Sequence, residues 1–103
     1  MELTLVRSLM DKEFYSDHNG ARCPDKLFSK DVGKIKMVVD EAVKKYDRSV
    51  EPKEVEALFY SHNPTLTTSQ KEKFNTLFSG IKAQEVMATD VAKDVLSKLF
   101  QQA

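Results

Sequence analysis

Apolar residues in this chain recur at spacings of three and four, and nowhere do they alternate by two over the length of a strand. That periodicity commits the chain to amphipathic helices, each with one apolar stripe that must be buried against another element. Three glycines and three prolines are all that punctuate it, so each stripe can run for several turns. The first stripe is Leu3, Val6, Met10 and Phe14, widened by Leu5 and Leu9, and it predicts one helix over residues 1–15. Ser16-Asp17-His18-Asn19-Gly20 should end that helix, because Asn-Gly marks a turn or a left-handed stop.

Pro24 suits the first position of a short helix over 24–29 that buries Leu27 and Phe28. Ser29 or Asp31 then caps a long helix over 30–46. Its stripe is Val32, Ile35, Val39, Ala42 or Val43, and Tyr46, with Val38 alongside. Gly33 weakens its first turn by up to ~1 kcal/mol relative to alanine. Glu51-Pro52 opens a helix reaching Tyr60, with Val55, Leu58 and Phe59 inward, and Asn63-Pro64 closes it. Thr67 with Gln70, and Ser69 with Glu72, are overlapping capping boxes. They precede a helix carrying Phe74, Leu77, Phe78 and Ile81 that ends near Gly80. The last helix starts at Gln84 or Met87 and places Ala88, Val91, Val95, Leu96, Leu99 and Phe100 on one side, with Asp94 and Lys98 as an outer pair. Six helical segments joined by short loops read as an all-α, compact single domain over 1–103.

Charge excludes more than it assigns. Sixteen Lys and Arg balance sixteen Asp and Glu in 103 residues. The balance also holds locally, with ten basic and nine acidic residues up to Val50 and six and seven after it. A basic nucleic-acid arm and an acidic tail are both excluded as whole-chain descriptions. With 41% hydrophobic residues, disorder is disfavoured as well. A single cysteine, Cys23, cannot close an intramolecular disulfide, which fits a reducing compartment. No leader and no long apolar run is present. The expected location is therefore the cytoplasm, with no membrane partner.

Motifs for chemistry are missing or incomplete. Placing Gly20 at the sixth position of a calcium loop would put Tyr15 first and Lys26 twelfth, where oxygen ligands are required. His18, Cys23 and His62 lack the paired spacing of a structural zinc site, and nothing supports a Cys–His nucleophile beyond the presence of both residue types. The glycines are too scattered for a phosphate loop. Neither cofactor nor metal is expected, and no catalytic residue is assigned. The carboxylates Asp40-Glu41, Glu54 and Glu56 read as solvated faces. Lys26, Lys30 and Lys34 would line one side of a continuous helix and, with Lys36, form the densest basic patch. They could contact phosphate, although Asp25 and Asp31 dilute the charge and no arginine is there for base readout.

Phe14, Phe28, Phe59, Phe74 and Phe78 fall on the stripes and read as core. Tyr15 and Tyr60 each follow a core phenylalanine and should point partly outward. The final helix carries Leu96, Leu99 and Phe100 in its last turns and has no Gly or Pro terminator. Either these residues pack back on the core, or they serve a contact with another chain or a C-terminal segment. With Tyr60, they are the candidate interaction residues.

The order and spacing of these segments resemble the N-terminal domain of DnaB-type hexameric replicative helicases, particularly those of large bacteriophages. The residues that carry the resemblance are the opening helix from Leu3 to Phe14, the loop delivering Leu27-Phe28, the helix Ile35-Lys36-Met37-Val38-Val39 through Ala42-Val43 to Tyr46, and the Pro-initiated Glu51-Pro52-Lys53-Glu54-Val55-Glu56-Ala57-Leu58. The resemblance covers nearly the whole chain. It implies a scaffold without catalytic residues, forming a collar that pairs with neighbouring helicase protomers and docks primase or helicase loader. The ATPase motor would lie beyond residue 103, so the chain would be the front part of a longer protein, in the host cytoplasm if phage-encoded. The family's dimerising hairpin is mostly absent here. The alternative is a small helical nucleic-acid-binding domain using the Lys26–Lys36 patch.

Overall fold

A computed structural model describes residues 2–18, 27–86 and 88–102, without the side chains of 89, 96 and 99–102. Six helices occur among them: α1 Glu2–Leu9, α2 Lys12–Asp17, α3 Lys30–Tyr46, α4 Pro52–His62, α5 Thr68–Lys82 and α6 Thr89–Gln102. No strand occurs among the described residues. The radius of gyration is 13.2 Å, close to the ~13 Å of a compact 100-residue domain. The chain is an all-α single domain. Its partition differs from the expected one, because the first segment is two helices and the expected helix over 24–29 falls largely outside the described residues.

The break between α1 and α2 has a tertiary cause. Asp11 turns extended and its carboxylate accepts the Phe14 amide, capping α2. The Met10 carbonyl accepts from the Val50 amide at 2.9 Å, and the Lys12 amide donates to Ser49 Oγ at 2.8 Å. Lys12 Nζ also reaches Asp47, whose φ of 53° is the left-handed turn that ends α3. The stripe from Leu3 to Phe14 is thus bent around the segment after α3, and it stays buried on both sides of the bend.

Helix α1 lies at the centre, packing Leu5, Val6 and Leu9 between α3 and α5, while α4 bridges α3 and α5. Ser8 is buried on α1 and donates to its own helix at the Thr4 carbonyl. The long helix α3 buries Val32, Ile35, Val38, Val39, Ala42 and Val43 as the stripe requires. Tyr46 departs from expectation and stands exposed. Phe28 is buried and Leu27 partly so. In α4, Val55 and Phe59 are buried, whereas Leu58 is only partly covered. Helix α5 is capped by Thr67 and Gln70, each side chain bonding the other's amide. It ends at Lys82, near Gly80 as expected. A Cβ at Gly80 would lie 2.8 Å from Leu3 Cδ1, so this glycine marks the close approach of α1 to α5.

The start of α4 carries a pH dependence. Arg48 donates to both carboxylate oxygens of Glu54, at 3.2 and 2.7 Å, and the Glu51 amide donates to Oε1. The arginine first, then the amide, hold the Glu54 carboxyl at about 2, below its ordinary 4.5. A carboxyl depressed by folding stabilises the fold above its unfolded value and loses that contribution as pH falls through the folded value. The expected window runs from about 4.5 down to about 2. Following the Glu54 carboxyl carbon by NMR should show this depressed titration, and Arg48→Gln should return it towards 4.5.

Candidate interaction surfaces

Helix α6 opens with Asp90 accepting the Val91 amide and with the first helical bond from Ala92 to the Ala88 carbonyl. Among its described side chains Ala92 is the fully buried one. The expected stripe is therefore corrected at its start: Ala88 is exposed and Val91 is 51% exposed. The axis of packing runs through Ala92, and Val91 lies at its outer edge. Among the described residues, the larger helix pairings join α1, α2, α3, α4 and α5. Val86, just before it, is exposed too, and Thr4 Oγ1 ties this connection to α1 by donating to Gln84 Oε1 at 2.8 Å. Of the candidate residues here, Leu96, Leu99 and Phe100 lie on α6 with their side chains outside the described set.

Tyr60 sits elsewhere, in an open cleft of about 450 Å³ between the end of α4 and α5, with Asn63, Pro64, Lys71 and Asn75. Its hydroxyl donates to Asn75 Oδ1 at 2.6 Å, and its ring meets Phe59 and Phe78. Burial, then the nearby Glu56 charge, pushes the phenol above its usual range. A phenol held protonated, with its one donor spent on Asn75, supplies shape and no base at neutral pH. Tyr15, the other tyrosine expected to point outward, is instead buried, and its hydroxyl donates to Asp40 at 2.7 Å.

The expected basic patch loses one of its four lysines, Lys36, to the interior. Lys30 and Lys34 are exposed, and Lys26 lies outside the described residues. Lys36 is only 5% exposed and bonds Asp40 Oδ2 at 2.7 Å. Asp31 is engaged by Lys73 of α5. The carboxylates are likewise less solvated than expected: Asp40 joins Lys36 to Tyr15, Glu54 holds Arg48, and Glu56 meets Lys82 at 3.1 Å.

Cys23 is outside the described residues. His18 stacks against the Phe14 ring and its Nε2 is buried without a partner, while His62 faces Glu41 at 3.6 Å. Among the described residues no group of three or more His, Cys, Asp or Glu is placed to hold a metal ion, and no helix is long and apolar enough to cross a membrane. No protein-family model, curated protein or solved structure matches the chain. What the described surface offers is exposed apolar residues and open clefts.

Proposed function

We propose that this chain is a non-catalytic protein-interaction domain of the collar type that leads DnaB-type replicative helicases, possessing contacts for helicase protomers and for primase or loader. The observation that supports it is α6, an amphipathic helix whose Val91 stands exposed, as does Val86 before it in the chain. An apolar edge left open on a lightly packed helix is the kind of surface that a partner chain covers. In that role the domain works in the cytoplasm, that of the host if phage-encoded. The nucleic-acid reading has less to stand on, because Lys36 is spent inside the fold.

Two measurements test the proposal. Light scattering from micromolar to millimolar concentration should show reversible assembly of the chain. Val91→Glu should return it to monomer while leaving thermal stability within about 0.5 kcal/mol, as for an exposed site. A strict monomer throughout, or assembly indifferent to Val91→Glu, would remove the interaction reading. The helicase part is read separately from the coding sequence past Ala103, where a Gly-x-x-x-x-Gly-Lys-Ser/Thr motor is expected. A stop codon there removes it.

A further inference from the structure

The outward side of α3 carries a single stripe of Lys30, Lys34, Met37, Glu41, Lys44 and Lys45. With ~3.6 residues per turn these six fall within one arc of about 100°, opposite the buried Val32, Ile35 and Val39. All six are exposed. From Lys30 to Lys45 the stripe runs about 22 Å at ~1.5 Å per residue.

The fold leaves this stripe more positive than the balanced sequence suggests. Every acid on α3 and at its C-terminal cap is met by a basic side chain, mostly from another element. Lys73 of α5 engages Asp31, Lys36 engages Asp40 inside the fold, and Lys12 of α2 engages Asp47. Glu41, the one acid on the stripe itself, faces His62 Nδ1 of α4 at 3.6 Å. Lys30, Lys34, Lys44 and Lys45 have no carboxylate partner among the described residues. Lys45 Nζ stands 5.6 Å from the Tyr46 ring centroid. Lys30 also opens α3, where the helix dipole is itself positive. The result is a straight line of four ammonium groups opposed by one glutamate.

We propose that this stripe binds the phosphate backbone of a nucleic-acid duplex without reading its sequence. The surface differs from the Lys26–Lys36 patch, because Lys36 is turned inward and Lys44 and Lys45 lie nearly three turns beyond Lys34. A duplex carries about one negative charge per 1.7 Å of its axis, so a line of this length meets phosphates without a required register. Lysine on a flexible stem is a point charge suited to phosphate, and no arginine stands on the stripe for base recognition. A protein partner fits less well, since contacts between proteins are depleted in lysine. A lipid surface fits less well too, because a helix lying on a membrane buries its apolar side there, and the apolar side of α3 faces the core. The contact goes beyond the collar reading and uses no residue of α6.

The probe is a fluorescent DNA duplex of about 20 base pairs, some three times the length of the stripe at ~3.4 Å per pair. Anisotropy titration with the full chain at about 20 mM salt should give a Kd near 10⁻⁴ M or tighter. Log K should fall against log salt with a slope of about −3 to −4, the value for four phosphates. Two unrelated duplex sequences should bind within about twofold of each other. Lys34→Glu with Lys44→Glu should weaken binding by about tenfold or more, whereas Lys34→Arg with Lys44→Arg should keep it. Lys93→Glu with Lys98→Glu makes the same change in net charge on α6 and should leave binding within about twofold. Amide shifts of the isotope-labelled chain should centre on the outer positions of α3. No binding at low salt, a slope near zero, or an equal loss from the α6 variants would each overturn the assignment. So would tighter binding to poly-glutamate or to phosphatidylserine vesicles than to the duplex. The α3 variants leave Val91 untouched, so assembly and duplex binding are read separately and each proposal fails on its own measurement.

Discussion

Alanine at Phe59 is expected to destabilise the fold by about 3–5 kcal/mol, the range for truncating a buried phenylalanine. The ring is almost fully buried, at 1% exposure. It lies 4.5 Å from Phe74 and 5.6 Å from Phe78 between ring centroids, and 5.5 Å from Tyr60. These tilted and edge-on pairs add to what area burial alone contributes. Phe59 also joins α4 to α5, so the cavity left behind would open the seam between two helices. Whole domains have only about 5–15 kcal/mol in hand, and at this size each kcal/mol moves the midpoint by about 4–8 °C. Thermal unfolding followed by circular dichroism should therefore show a fall of more than about 12 °C. Phe59→Leu, closer in volume, should cost under about 1.5 kcal/mol. A loss below about 1 kcal/mol for the alanine variant would mean that the aromatic cluster does not hold α4 on α5 as described.

This cluster was legible in the sequence because every member sits on a local stripe. Phe59 is reached from Val55, and Phe74 and Phe78 are four apart. The α5 start was legible for the same reason, since Thr67 and Gln70 satisfy each other within one turn. The α1–α2 break was not. Residues 1–15 carry a continuous apolar stripe, and what interrupts the helix is Val50 and Ser49, which bond Met10 and Lys12 from far along the chain. Periodicity reports the face that is buried, and it is silent about a distant segment that competes for the backbone.

The surfaces divide in the same way. That α6 is amphipathic could be read from spacing, but which edge stays open depends on Ala92 becoming the packing centre. Tyr46 fell on the core stripe of α3 by counting, yet it sits in the last turn before Asp47 reverses the chain, where no neighbouring helix covers it. Lys36 looked like one lysine of a patch, because spacing alone does not distinguish a solvated amine from one that has found a buried carboxylate.

That buried pair is the second site of large expected effect. Lys36 Nζ bonds Asp40 Oδ2 at 2.7 Å, with side-chain exposures of 6% and 22%, and Tyr15 donates to the other carboxylate oxygen at 2.7 Å. Asp40→Ala strands the ammonium and removes the carboxylate to which the Tyr15 hydroxyl donates. Removing one partner of a buried pair costs about 3–5 kcal/mol, and the partial exposure of Asp40 places this variant near 3. Some relief comes from the lysine stem, which can carry its head towards water. Lys36→Met alone should cost less, because the carboxylate keeps Tyr15 and a path to solvent. Lys36→Met combined with Asp40→Leu removes both charges and keeps the volume, and it also takes away the carboxylate acceptor of the Tyr15 hydroxyl. It should recover most of the loss, and adding Tyr15→Phe should recover the remainder. Urea unfolding of the four variants checks the ordering. If the charge-free variants were as unstable as Asp40→Ala, the cost would lie in packing between α2 and α3, and the pair would have no part in joining them.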